Sequence, residues 1–260
     1  MGLEGSLAGN LSGSLAGDLA DAGVPLAEEL DALLGGKLRE VWDARFGYTL
    51  DGTTIVSWAG QKLGLVIDAD AAADQPTFAA DGANFMGRPV VQCATPDAGD
   101  YLIERDFGLD LHASGARPHV AVVSRFRQVN GGYNLFQHID AVPRVYIVGN
   151  GSLTPVTFDY RSVWELTTAS SATEDTSPHL FEFYLTAAGE VAIAIDGGAP
   201  VLSGSGVSLS EAVRGLSIGN DQVAFIGEVN IAAVLELTSE LSAGERTALH
   251  TWATDNWGTP

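Results

Sequence analysis

Phe181-Glu182-Phe183-Tyr184-Leu185 leads into Thr186-Ala187-Ala188-Gly189-Glu190 and then Val191-Ala192-Ile193-Ala194-Ile195. Two short runs rich in β-branched and aromatic residues flank a glycine-containing reversal, the pattern of a β-hairpin. Asp196-Gly197-Gly198 marks the next turn, where glycine supplies positive φ without steric cost. Farther on stand Gly215-Leu216-Ser217-Ile218-Gly219-Asn220 and Gly227-Glu228-Val229-Asn230-Ile231-Ala232-Ala233-Val234-Leu235-Glu236-Leu237. No long helical period interrupts residues 181–237. The stretch predicts antiparallel sheet.

Working outward, further strands are predicted at Leu38–Trp42, Ile55–Trp58, Leu63–Ile67, Pro89–Cys93, Tyr101–Ile103 and His119–Phe126. Others follow at Tyr133–His138, Val145–Val148, Val156–Tyr160 and Ser162–Leu166. In His119–Phe126, alternation puts Val120, Val122, Ser124 and Phe126 on one face. A helix is expected at each end of this region. Residues 24–34 offer Pro25 for the first turn, then Glu28, Glu29 and Asp31 near its positive end. Leu26, Leu30, Leu33 and Leu34 form its apolar stripe, and Gly35-Gly36 stops it. At the other end Ser242 and Glu245 form a capping box. Leu249, Trp252 and Ala253 give that last helix an apolar face, expected to pack on an edge of the sheet structure.

The first residues follow a different rule. Leu3, Leu7, Leu11, Leu15 and Leu19 alternate with Gly5, Gly9, Gly13 and Gly17. As a strand the segment shows one Leu/Gly face; as a helix it splits leucine and glycine into separate stripes. Four glycines at about 1 kcal/mol each disfavour the isolated helix. Neither form covers its own leucines, so the segment needs a partner surface. The expected organisation is an attachment arm over 1–23, a short helix and Gly-Gly hinge over 24–36, and one domain over 37–260.

Composition narrows the function classes. The 260 residues carry 33 acidic and 13 basic side chains, a formal net charge of −20. Such a chain repels phosphate-rich partners, which argues against nucleic-acid binding. Cys93 is the one cysteine, so no intrachain disulfide or cysteine-based zinc site forms, and it is read as a small buried apolar residue. No apolar run reaches the roughly 18 residues of a membrane span. The first residues lack a basic stretch followed by an uninterrupted apolar one, so no signal peptide is read from them. Membrane insertion is not expected.

The order of these elements resembles a laminin-G-like, concanavalin A-like jelly roll, over about Gly36 to Gly258. The resemblance rests on the hairpin with its Ala-Gly-Glu turn, the Asp-Gly turn, Leu216-Ser217-Ile218-Gly219-Asn220, and Gly227 to Leu235. The Leu241-Ser242-Ala243-Gly244-Glu245-Arg246 opening of the last helix and its Trp257-Gly258 ending are similar too. Upstream, Asp74-Gln75-Pro76-Thr77-Phe78, Gly87-Arg88-Pro89-Val90-Val91 and Asp100-Tyr101-Leu102 keep the family's order. The resemblance implies an all-β, two-sheet antiparallel sandwich. It leaves function open, because lectins, glycosidases and structural modules share this fold.

Candidate chemistry is sparse. Glycoside hydrolysis needs two carboxylates across the scissile bond, and glucanases of this fold carry them two residues apart on one strand. Here Glu182 and Glu228 each stand without such a neighbour, so no enzyme is expected. His112, His119, His138, His179 and His250 show no metal-ligand spacing and are read as surface or hydrogen-bonded residues. Asp68-Ala69-Asp70 with Asp74 could converge on calcium, though Ala72, Ala73 and Ala79 break the EF-hand pattern. The resemblance implies calcium in many relatives at loop edges, where Asp97, Asp100, Asp196 and Asp221 are further candidates. No cofactor beyond Ca2+ is expected. For a carbohydrate, Asn130, Tyr133, Asn134, Asn150, Tyr160 and Trp164 supply aromatic and amide groups in or near apparent loops.

Two functions are therefore expected in order. The first is a non-catalytic structural or adhesive component of a phage virion, in the tail, fibre or capsid decoration. Its partners would be other proteins of that particle or copies of itself, engaged through residues 1–36. The alternative is a carbohydrate-binding, lectin-like module of a bacterial surface or secreted protein, whose partner is a cell-surface glycan.

Overall fold

The computed structural model describes residues 26–69, 75–82, 84–93, 101–104, 119–126, 136–137, 144–148, 156–162, 165–171, 177–206, 216–219 and 229–260. The described chain begins with α1 (Leu26–Leu33), β1 (Leu38–Asp43), β2 (Tyr48–Asp51), β3 (Thr54–Ala59) and β4 (Val66–Asp68). Next come β5 (Thr77–Gly82), β6 (Arg88–Cys93), β7 (Tyr101–Glu104), β8 (His119–Phe126) and β9 (Phe136–Gln137). Then follow β10 (Arg144–Val148), β11 (Val156–Ser162), β12 (Glu165–Ser171), β13 (His179–Leu185) and β14 (Glu190–Ile195). β15 (Val201–Gly206), β16 (Leu216–Gly219), β17 (Val229–Leu237) and α2 (Ala243–Trp257) complete it. The fold is an all-β, antiparallel jelly-roll sandwich with a helix at either end of the described chain.

The first layer runs β15-β14-β13-β8-β17. The far edge of β17 is shared end to end: Ala233 to Leu237 pair with β1, and Val229 to Ile231 pair with β6. β6 passes to β5, and β5 meets β3 at the single pair Thr54↔Thr77. That corner opens the second layer, in which β3 pairs with β2 and β4, and β4 leads through β7 and β16 to β9. A separate sheet, β10-β11-β12, stands against β14 and β15.

Cross-strand partners share a face, and register separates two rows on the first layer. Trp42, Val234, Val122, Phe181 and Ile195 form an inner row. It shares one buried cluster with Ile55 and Trp58 of β3 and Ile67 of β4. Trp42 Nε1 donates to Leu65 O at 3.1 Å, and Trp58 Nε1 donates to Phe46 O at 3.0 Å, so both large rings bridge the layers with their polar atoms satisfied. The outer row is Val41, Leu235, Ala121, Glu182 and Ala194, flanked by a second row of Leu237, His119, Tyr184 and Ala192. Every residue of β1, β13 and β17 is buried, because α2 covers this outer face.

The last helix therefore lies across the outer face rather than on an edge of the sandwich, as the sequence had suggested. Small residues on that face are the reason: Ala121, Ala192, Ala194 and Ala233 leave room for a helix where larger side chains would hold it off. Leu249, Trp252, Ala253 and Trp257 fill the contact. Ser242 caps the helix with the reciprocal Glu245 bond, and Gly258 closes it at φ +71.

Three local expectations change. Ser162–Leu166 is not one strand: Ser162 ends β11 and Glu165 opens β12, and the two are paired. Leu63 and Gly64 precede β4, which begins at Val66. Ala27 and Leu30 of α1 and Leu34 just after it are buried, while Leu33 turns outward at 42% exposure. Cys93 is buried, as expected.

Candidate functional site

Asn130, Tyr133, Asn134, Asn150, Trp164, Asp70 and Asp74 lie outside the described residues, as do Leu3, Leu7, Leu11, Leu15 and Leu19. The main chain places Tyr160 in β11, opposite Val145 and Thr167. Asp68 ends β4, opposite Ser57 on one side and Ile103 on the other. A calcium ion takes about six to eight oxygens, and Asp68 alone brings one carboxylate. Among the described residues no three His, Cys, Asp or Glu side chains gather where a metal could bind. Asp196 serves its turn: at φ +50, its Oδ1 accepts from Leu180 N at 2.9 Å, and its Oδ2 stands 2.6 Å from His179 Nδ1.

The described polar chemistry collects beneath α2 in two groups. Under its first turn, Arg246 Nε reaches Glu182 Oε1 and Oε2 at 3.1 and 3.2 Å, while Nη2 donates to Tyr184 Oη at 2.9 Å. His119 Nε2 lies 3.2 Å from Glu182 Oε2, and its ring stacks on Tyr184 with centroids 4.7 Å apart. With the carboxylate accepting, Nε2 carries the proton, and Nδ1 has no partner among the described residues. Burial pushes the Tyr184 phenol up to about 12 even with Arg246 opposing it. Side-chain exposures of 0% for His119 and 1% for Glu182 leave a substrate no access. Glu182, the nearest thing to a glycosidase carboxylate in the sequence, is thus half of a sealed ion pair.

A pair of buried carboxylates faces the interior. Glu40 and Glu236 are opposite one another on β1 and β17. Each has its own compensation: Glu236 Oε1 accepts from Arg39 Nη1 at 2.5 Å, and Glu40 accepts from the backbone N–H groups of Val41, Lys62, Leu63 and Leu65 at 2.7–3.1 Å. Glu40 thereby pins the loop between β3 and β4.

The other group sits at the end of α2. Arg45 grips Asp43 bidentately, Nε to Oδ1 at 2.8 Å and Nη2 to Oδ2 at 2.6 Å. Its Nη1 donates to Asn256 Oδ1 at 3.0 Å, and Arg88 Nη1 donates to the same oxygen at 2.9 Å. Both guanidiniums lie over the Trp257 ring, at 5.1 and 5.8 Å from its centroid. The turn Asn84–Gly87 delivers Arg88: Met86 and Gly87 take φ +56 and +76, and Arg88 N donates to Phe85 O at 3.0 Å. Burial lowers the Arg88 pKa, and repulsion from Arg45 adds to this against the pull of Asp43. Lys37, Arg39, Arg45, Lys62 and Arg246 each hold a carboxylate. Arg88 holds none among the described residues. Sequence reading passed over it, because its surroundings come from residues up to 168 positions away.

No protein-family model matches the chain, and no curated protein matches its sequence. Solved structures do match its fold. A Trypanosoma rangeli sialidase in complex with sialic acid aligns over 90% of this chain at TM-score 0.58 and 12% identity. The binding domain of Paraclostridial Mosquitocidal Protein 1 aligns over 87% at TM-score 0.63 and 8% identity. Botulinum neurotoxin type C, in a structure titled for the dependence of its cell entry on two ganglioside molecules, aligns over 77% at TM-score 0.52 and 10% identity. The chain spans 38%, 56% and 51% of those chains respectively. At these identities the likeness defines a fold: a β-sandwich of the jelly-roll kind that binding domains use.

Proposed function

We propose that this chain is a lectin-like, carbohydrate-binding module without catalytic activity, working outside a cell or at its surface. The observation that carries this reading is the likeness of its sandwich to binding domains, one of them in a ganglioside-dependent toxin. The sealed Glu182 pair supports the non-catalytic half, since a buried, neutralised carboxylate cannot reach a glycosidic bond. The sialidase likeness covers 38% of that chain and supports the fold only. Nothing in these comparisons supports the virion component expected first from the sequence, so the proposal takes the carbohydrate-binding alternative.

Asn130, Tyr133, Asn134, Asn150, Tyr160 and Trp164 are the proposed sugar contacts, and Asp68, Asp70 and Asp74 a proposed calcium site. A glycan array with the purified chain tests the reading, repeated with calcium and with chelator. We expect micromolar binding that Tyr133→Ala or Trp164→Ala abolishes. An array blank under both conditions, or turnover of a glycan substrate, overturns the proposal.

A further inference from the structure

We propose that Arg88 is the anchor for the carboxylate of an acidic sugar, at the surface where α2 ends. The inference deepens the carbohydrate-binding reading and rests on it. In a chain of net charge −20, carboxylates are abundant and guanidiniums scarce. Arg39, Arg45 and Arg246 each spend their charge on one. Arg88 instead spends a single N–H on the neutral Asn256 oxygen. Its remaining donors meet no acceptor among the described residues, and none of them is a buried orphan. They face solvent.

The guanidinium is also held in place before any ligand arrives. Its stack over Trp257 and its bond to Asn256, itself tied to Trp252 O at 2.9 Å, fix the plane of the fork. Arg45 donates to the same oxygen and already neutralises Asp43, so among the described residues the local balance is one unmatched positive charge. A planar fork with two free donors matches a carboxylate, and pre-organisation lowers the entropy lost on binding. Trp257 is fully buried and cannot stack on a ring. Met86 is 61% exposed and lies against the α2 C-cap, since a Cβ on Gly258 would stand 3.2 Å from Met86 Cγ. It offers an apolar contact beside the charge.

Calorimetry on the full chain tests this with four probes: sialyllactose, a glucuronic acid disaccharide, and the methyl ester of each. We expect at least one free acid to bind about tenfold tighter than its ester, the usual contribution of a charge-assisted bond. Arg88→Gln should erase that preference, and Arg88→Lys should restore only part of it. Neutral-glycan binding should stay as in the wild type. Acids and esters binding alike, or a preference that survives Arg88→Gln, overturns the inference while leaving the carbohydrate-binding reading intact if neutral glycans bind. Absence of binding to any glycan overturns both. Should Arg88→Gln unfold, Arg88→Lys decides: an acid preference undiminished in that variant overturns the inference.

Discussion

Arg246 in the first turn of α2 holds Glu182 at the middle of β13, Nε to Oε1 at 3.1 Å. The bond joins residues 64 apart in sequence and fixes where the helix lies on the sheet. It also decides how Glu182 must be read. A carboxylate shared by Arg246 and His119 under a helix keeps the fold together.

Removing one partner leaves a buried charge uncompensated. Arg246→Met should cost about 3–5 kcal/mol, whereas Glu182→Met with Arg246→Met should cost much less than the two single changes summed. Urea midpoints of the four proteins measure the coupling. Additive costs would show that the pair does not act as a unit.

Glu40 makes a second, sharper case. A Cβ on Gly60 would stand 2.2 Å from Glu40 Cδ, so Gly60→Ala must displace the carboxylate from the N–H groups it serves. Glu40→Gln turns one acceptor into a donor facing donors. Each change should destabilise by about 2–3 kcal/mol or more. Amide exchange at Lys62, Leu63 and Leu65 should rise in both, ahead of global unfolding; unchanged protection there would contradict the assignment.

Acid should act through Glu245. Burial raises its pKa, but hydrogen bonds from Lys37 and Ser242, together with the Lys37 charge, outweigh that and hold it at about 2 against an ordinary 4.5. A depressed folded value means the stabilisation is complete above the unfolded pKa and is lost as pH falls from about 4.5 towards 2. Glu245→Gln should remove this part of the acid sensitivity and cost up to about 1 kcal/mol near neutrality through the lost Lys37 ion pair, since glutamine keeps the capping box. Melting temperatures of both proteins between pH 6 and 2 check it. Parallel curves would contradict it.

The N-terminal boundary is testable by truncation. Leu30 and Leu34 are fully buried in the main core, and Asp31 pairs with Lys62 at 2.8 Å. Deleting residues 1–23 should leave the melting temperature nearly unchanged while abolishing any self-association or partner capture the arm supports. Leu30→Ala should cost about 2–5 kcal/mol. A truncated chain that unfolds would place the arm in the core, and one that still assembles would end its role as a handle.

Much of the fold was legible locally. Phe181–Ile195 showed its hairpin because the turn residues and both runs lie within 15 positions. Ser242 and Glu245 showed the capping box, because both halves of that motif sit within one helical turn. β2, β5 and β15 were missed for a physical reason. Among the described residues Tyr48–Asp51 pairs only with β3 and is largely exposed, Ala79-Ala80-Asp81-Gly82 lacks the branched residues that signal strands, and Ser203-Gly204-Ser205-Gly206 reads as a turn.

Sequence by itself settled the all-β class, the hairpin, the caps, the lone buried cysteine and the charge that argues against nucleic acid. Only the tertiary structure decided that the Val229–Leu237 run is covered on both faces, that α2 does the covering, and that Glu182 meets Arg246. It also decided that Arg88 stands over Trp257 with no carboxylate among the described residues. Turns and caps are made by neighbours in sequence, so the residues that cause them are adjacent on the page. Burial on a second face, and the charge left on Arg88 when Arg39, Arg45 and Arg246 each hold a carboxylate, depend on contacts between residues tens to hundreds of positions apart. Local pattern carries no record of them.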